Sequence, residues 1–161
     1  TKKYFRSTEL IENVSNYQIF LNKKNIETLN FKVNDVAQKL ADEIVNFDGI
    51  YKAVTARTMQ TTHFSEGILN SLQNGYNQKR SGDVLFVYKP SFISYSTYGS
   101  QHGSPEIYDT HIPLLFYGKG FKTGYSYKRH EIVDIAPTLA ALLGIAEPNG
   151  TTGVPIEEVL K

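Results

Sequence analysis

The sequence predicts an α/β fold, and three observations carry that reading. Two continuous apolar runs, VLFVYK (Val84 to Lys89) and IPLLFYG (Ile112 to Gly118), follow polar turns, the pattern of strands buried on both faces. Apolar residues recur at helical spacing through Val36, Ala37, Leu40, Ala41, Ile44 and Val45. The segment DIAPTLAALLG (Asp134 to Gly144) joins a capping residue, a proline in the first turn and a terminal glycine, the full set of start and stop signals for a helix.

Taken in order, the elements begin with YQIFLN (Tyr17 to Asn22), whose β-rich composition predicts a strand ending in the polar turn NKKN. A helix follows, capped by Asn34, with Asp35 suiting its positive start and Asp48-Gly49 stopping it. IYKAVTA (Ile50 to Ala56) predicts a second strand. Ser65 is the expected cap of a short helix with Ile68, Leu69 and Leu72 on its apolar stripe and Gly75 at its exit. With VLFVYK the order is β-α-β-α-β, which fits a small split-βαβ layer with both helices on one face. FISYSTYG predicts a further strand. IPLLFYG predicts one with Pro113 at its entry and Leu114 to Tyr117 in a central position. In the last helix Leu139, Leu142 and Leu143 are expected to face the core, packed on the sheet.

Composition excludes several functions. At 161 residues and 40% hydrophobic content the chain is long enough for one core. Seventeen Lys+Arg against sixteen Asp+Glu, mixed along the sequence, create no basic field for nucleic acid, so no nucleic-acid binding is expected. No run approaches the ~18 apolar residues of a membrane span. There is no cysteine, so any metal must be held by histidine and carboxylate. Thr1 is not a start methionine, and the chain is expected to be a piece of a longer polypeptide.

Four histidines are the candidates for chemistry. His63 in TTHFSE has no acidic or histidine neighbour at helical spacing and reads as a loop or cap residue. His130 in KRHEIVD reads as a surface or hydrogen-bonding residue ahead of the last helix. His111 reads as half-buried and structural, its ring bonded to backbone. His102 stands apart, because Gly103-Ser104-Pro105 lets the backbone approach closely and points the imidazole out of the turn. From residues alone it is either a turn histidine or a metal ligand.

HGSPEIYDTHIPLLFYGKGF, then VDIAPTLAALLGI, then GVPIEEVL, spread over Ser81 to Lys161, resemble in order and spacing the C-terminal portion of the alkaline phosphatase superfamily. The resemblance is to its bacterial phosphate-monoesterase and nucleotide-pyrophosphatase-like branch. It implies a mixed sheet with flanking helices, residues 81–161 forming the C-terminal part of the phosphatase core and residues 15–80 an accessory α+β insertion. It implies that His102 is the last protein ligand of a two-zinc site. YDTHIPLLFYG would leave the site as a strand, and DIAPTLAALLGI would close the fold as a helix. The implied parent hydrolyses phosphate esters with a Thr or Ser nucleophile from a missing N-terminal part, in the periplasm or cell envelope.

Two departures bear on this. Glu106 occupies a position where the family turn usually has an aromatic residue. The nucleophile strand, the Asp-His dipeptide and the Asp-x-x-x-His ligands of the family have no match, so no catalytic residue is expected within the chain. One histidine cannot hold two ions that each need three or more protein ligands. The chain alone is therefore expected to be inactive and without zinc. A phosphodiesterase or nucleotide pyrophosphatase of the same superfamily, and a non-catalytic accessory or interaction module, are the alternatives. Sulfatases, with a single divalent cation and a modified Cys or Ser, fit the His-Gly-Ser-Pro turn less well.

Overall fold

The computed structural model describes residues 2–5, 9–93 and 102–161. The chain divides into two compact units, Thr1–His111 and Ile112–Lys161.

The first unit opens with a short helix, α1 (Lys2–Phe5), and then a hairpin of β1 (Ile11–Ser15) and β2 (Gln18–Leu21). Asn22 closes β2 and caps α2 (Lys23–Thr28), its side chain accepting the Asn25 N–H at 3.1 Å. The polar turn expected at NKKN is therefore the start of a helix, which buries Ile26. Next come α3 (Val33–Ile44) and β3 (Ile50–Thr55). Thr55 both ends β3 and caps α4 (Ala56–Thr61) through its hydroxyl, which accepts the Thr58 N–H at 3.2 Å. After α5 (Gly67–Gly75) the chain returns as β4 (Val84–Tyr88). The greater part of the strand expected at 92–99 lies outside the described residues.

The sheet order is β1-β2-β4-β3. β4 is antiparallel to both β2 and β3, so β2 and β3 run parallel to each other with β4 inserted between them. That is the split βαβ arrangement, with α3 as its crossover. Every neighbouring pair among the described strands is antiparallel, because β4 separates the two parallel ones.

Alternation along β4 explains its unbroken apolar character. Val84 and Phe86 join Ile19, Leu21, Ile26, Val36, Ala37 and Ala41 in one core layer. Leu85 joins Val54 and Met59 in a second, where Leu69 and Leu72 of α5 pack. Each of the Val, Leu, Ile, Phe and Met side chains among them contributes about 1.5–3 kcal/mol on burial. The helices thus cover both faces, and the expectation of one helical face is corrected. The cause is local, since α4 starts directly at Thr55 and carries the chain away on the Val54 side. In α3 the expected stripe is confirmed at Val36, Ala37 and Ala41, whereas Asn34 lies inside the first turn and Lys32 occupies the cap without a side-chain bond.

In the second unit the expected strand at Leu114 to Tyr117 is absent. No strand partner pairs with it among the described residues, and Leu115 and Tyr117 are 87% and 103% exposed. A strand exists only when its N–H and C=O groups meet a neighbour. The final helix, α7 (Ile135–Leu143), follows a 3-10 turn at Ile132–Asp134 and ends at Gly144 in left-handed conformation (φ 63°). Its buried residues are Pro137, Thr138 and Ala140, while Leu139 and Leu143 are exposed, which reverses the face expected from the leucines. The C-terminus is tied back by Lys122 N–H to the Val159 carbonyl and Lys161 N–H to the Gly120 carbonyl.

Candidate metal centre

His102, Gly103, Ser104 and Pro105 form a turn that leads into α6 (Ile107–Thr110), with Glu106 as its cap residue. Asp109 on α6 organises the turn. Its Oδ2 accepts the Gly103 N–H at 2.8 Å and the Ser104 N–H at 2.7 Å, and its Oδ1 lies 3.0 Å from His102 Nδ1. The His102 bond, followed by those from the Ser104 and Gly103 backbone, holds the Asp109 carboxyl below the usual carboxylate range. Asp109 is therefore an anion at neutral pH and takes the proton-bearing Nδ1 of the imidazole as a donor. In the neutral ring the lone pair then resides on Nε2. A neutral imidazole fixed at Nδ1 by a carboxylate, with Nε2 outward, is the arrangement in which histidine binds a metal.

The His102 side chain is 92% exposed. Among the described residues, no group of three or more His, Cys, Asp or Glu side chains converges to hold an ion. The donor chemistry fits a single imidazole ligand to zinc. It does not amount to a whole site.

The other histidines sort differently. His63 is exposed just beyond α4, in a loop as expected. His130 is half-buried, with Nε2 at 3.0 Å from Glu158 Oε1, which agrees with a hydrogen-bonding role. His111 caps the C-terminal end of α6 and is exposed, so its expected half-buried, structural character is corrected: it stands where the short helix α6 stops. Glu106 is half-buried and its side chain makes no cap bond to α6.

Asp109 was not among the residues singled out from the sequence, where it stands only within YDTHIPLLFYG. The available signal was a carboxylate seven positions after His102, across a Gly-Ser turn whose N–H groups need an acceptor.

A second polar cluster explains the DIAPT and GVPI segments. Asp134 does not cap α7 with its side chain. Its Oδ2 accepts the Glu131 N–H and its Oδ1 the Val154 N–H, both at 2.9 Å, and these two bonds lower its pKa. Thr138 Oγ1 donates to the Asp134 carbonyl at 2.6 Å and accepts the Ile156 N–H at 2.9 Å. A Cβ on Gly153 would lie 2.3 Å from the Val133 carbonyl oxygen, so only glycine lets the two segments meet. Nearby, Glu158 accepts bonds from Lys128, Ser126 and His130. Lys128 first, then the Ser126 and His130 bonds, lower its carboxyl to about 2.

No family model matches the chain. The chain is 34% identical over 160 residues to the alkaline phosphatase PafA of Elizabethkingia meningoseptica, covering 99% of this chain and 29% of that protein. It is 35% identical over 148 residues to the alkaline phosphatase PhoV of Synechococcus elongatus, covering 92% of this chain and 27% of the relative. The crystal structure of wild-type PafA superposes with a TM-score of 0.90 at 34% identity, over 99% of this chain and 31% of that one. Over nearly its whole length the chain is thus similar to part of the alkaline phosphatases. A protein of Myroides odoratus named as a calcium-transporting ATPase is 33% identical over 98% of this chain and 29% of its own length. The chain thus spans under a third of the length of these relatives. It shares the fold of that part of PafA over 99% of its length, split βαβ layer and closing helix included. None of its described helices is long and apolar enough to cross a membrane.

Proposed function

We propose that this chain is the C-terminal part of a two-zinc phosphate-ester hydrolase acting outside the cytoplasm, in the periplasm or cell envelope, and that it supplies one metal ligand, His102. The observation that carries the proposal is the Asp109 carboxylate at His102 Nδ1, which leaves Nε2 as the outward donor. The named phosphatases among the relatives favour hydrolysis of phosphate esters over a purely accessory role.

Bound zinc in such a site would act as a Lewis acid toward the phosphoryl group and lower the pKa of the attacking oxygen. This chain's residues contribute orientation. Asp109 fixes the orientation of the imidazole through Nδ1, and the Gly103 and Ser104 N–H groups keep Asp109 in place. The nucleophile, a Thr or Ser, and the remaining ligands belong to the rest of the polypeptide. On this reading the 161-residue chain by itself does not hydrolyse phosphate esters, because an activated attacker is missing.

The test is His102→Ala in the full-length polypeptide, with zinc content and turnover of an aryl phosphate measured together. Loss of zinc and a fall in turnover by orders of magnitude are expected. Normal zinc and normal turnover would leave His102 as a turn residue only. An aryl phosphate diester, run beside the monoester, separates the phosphatase from a phosphodiesterase of the same superfamily.

A further inference from the structure

We infer that Tyr17, in the hairpin of the accessory layer, is a positioning residue for the His102 turn. The inference rests on the proposed metal role of His102.

The hairpin between β1 and β2 has a two-residue loop, since Ser15 pairs with Gln18. Its residues Asn16 and Tyr17 both take positive φ, 49° and 59°. This is the mirror-image turn that suits the strand twist, and its second position favours glycine strongly. Asn16 fits the first position. Tyr17 stands where glycine would be easiest, and a bulky residue at positive φ persists only where the surroundings hold it.

The ring of Tyr17 shows what holds it. It meets Phe86 edge-on at 6.1 Å and Tyr88 at 5.2 Å between ring centres, which anchors it to the central strand β4. Its opposite edge faces Gly103, whose φ is +112°. A Cβ built on Gly103 would lie 3.1 Å from Tyr17 Cε2 and 3.4 Å from its hydroxyl oxygen, and the three atoms nearest that position all belong to Tyr17. Gly103 therefore rests on the ring with no side chain between them. The same glycine donates its N–H to Asp109 Oδ2, and Asp109 Oδ1 holds His102 Nδ1.

A continuous path of contacts thus runs from β4 through Tyr17 to Gly103, Asp109 and His102. Tyr17, Tyr88, Phe92, Pro105 and Tyr108 line a cavity of about 230 Å³ beneath the turn. Among the described residues, the Tyr17 ring edge is what Gly103 rests against, and it fixes the height of the turn above the sheet. The backbone strain at Tyr17 is retained for that placement.

The experiment uses the full-length polypeptide with Tyr17→Gly, Tyr17→Phe and Val36→Ala, and His102→Ala as the reference. Zinc affinity is measured by chelator competition, turnover with an aryl phosphate, and stability by urea midpoint. Val36 is fully buried on α3 and lies outside the path, so its variant supplies a loss of stability without a change at the turn. Tyr17→Gly is expected to lower zinc affinity and kcat by about tenfold or more, the usual effect of removing support from a metal-binding histidine. Tyr17→Phe, which keeps the ring edge, is expected to restore both to within about twofold, the rescue a positioning role requires. Equal zinc affinity in Tyr17→Gly and the wild type overturns the inference. So does an equal loss in Val36→Ala at a matched urea midpoint, which would make the effect one of stability alone. If His102→Ala itself keeps full zinc and turnover, the functional reading fails and this inference fails with it; a loss in His102→Ala without one in Tyr17→Gly removes only the inference.

Discussion

At the scale of single residues, two carboxylates do most of the organising, and neither role was evident from residue type. Asp109 looked like a polar residue before a strand because its partners, two backbone N–H groups and an imidazole, become visible only once the turn folds back on α6. The exposed turn at His102, by contrast, was legible, since glycine, serine and proline after a histidine mark an outward-facing turn. Asp109→Asn in the full-length polypeptide removes the charge that fixes the imidazole, and zinc affinity is expected to fall by about 10–100-fold in chelator competition. Glu158 offers a test that needs no metal. Its folded pKa of about 2 lies below its ordinary value of 4.5, so protons bind the unfolded chain first on acidification. The stabilisation is full above the ordinary value and is lost as pH falls toward about 2. Urea midpoints of the wild-type chain should decline across that interval, and Glu158→Gln should flatten the decline. An unchanged slope in the variant would show that the Lys128 and His130 contacts contribute nothing in solution.

At the scale of elements, periodicity recovered what local rules govern and failed where tertiary partners decide. The stripe of α3 and the doubly buried β4 were readable because Val36, Ala37 and Ala41, or Val84 to Val87, satisfy their own spacing. Two short helices, α2 and α4, escaped notice because each starts directly at a strand end, on caps supplied by Asn22 and Thr55. The leucines of α7 misled for a different reason. Its buried face is Pro137, Thr138 and Ala140, and Thr138 on that face accepts the Ile156 N–H of the returning segment. That packing makes a sharp expectation. Thr138→Val is nearly isosteric but leaves the buried Ile156 N–H without an acceptor, and should cost about 1–3 kcal/mol in urea denaturation. Gly153→Ala forces a Cβ to 2.3 Å from the Val133 carbonyl, and should cost about 1–3 kcal/mol or more by displacing the backbone. If both variants unfold at the wild-type midpoint, the Asp134–Thr138 clamp is not what secures the end of the chain.

At the scale of the whole molecule, the misfit between sequence pattern and structure is itself informative. IPLLFYG carries the composition of a buried strand, yet Ile112, Leu114, Leu115 and Tyr117 are exposed, as are Tyr125 and Tyr127. Soluble proteins rarely leave large contiguous apolar patches uncovered, and a run of this kind marks a surface made for contact. The chain spans under a third of its relatives' length, so the rest of the polypeptide is the proposed cover, with a neighbouring strand to pair the run's N–H and C=O groups. Charge gives the 161-residue chain little protection, because its formal net charge is only +1 at pH 7. Taken alone, it should bind a hydrophobic dye such as ANS and associate with itself as concentration rises. Leu115→Arg combined with Tyr117→Arg should reduce both effects in the 161-residue chain, measured by dye fluorescence and sedimentation. The same pair in the full-length polypeptide should have the opposite consequence, placing two unpaired charges in a buried strand and abolishing soluble, zinc-loaded protein. Full-length protein that remains soluble and zinc-loaded with both arginines in place would mean that this run stays at the surface in the parent as well.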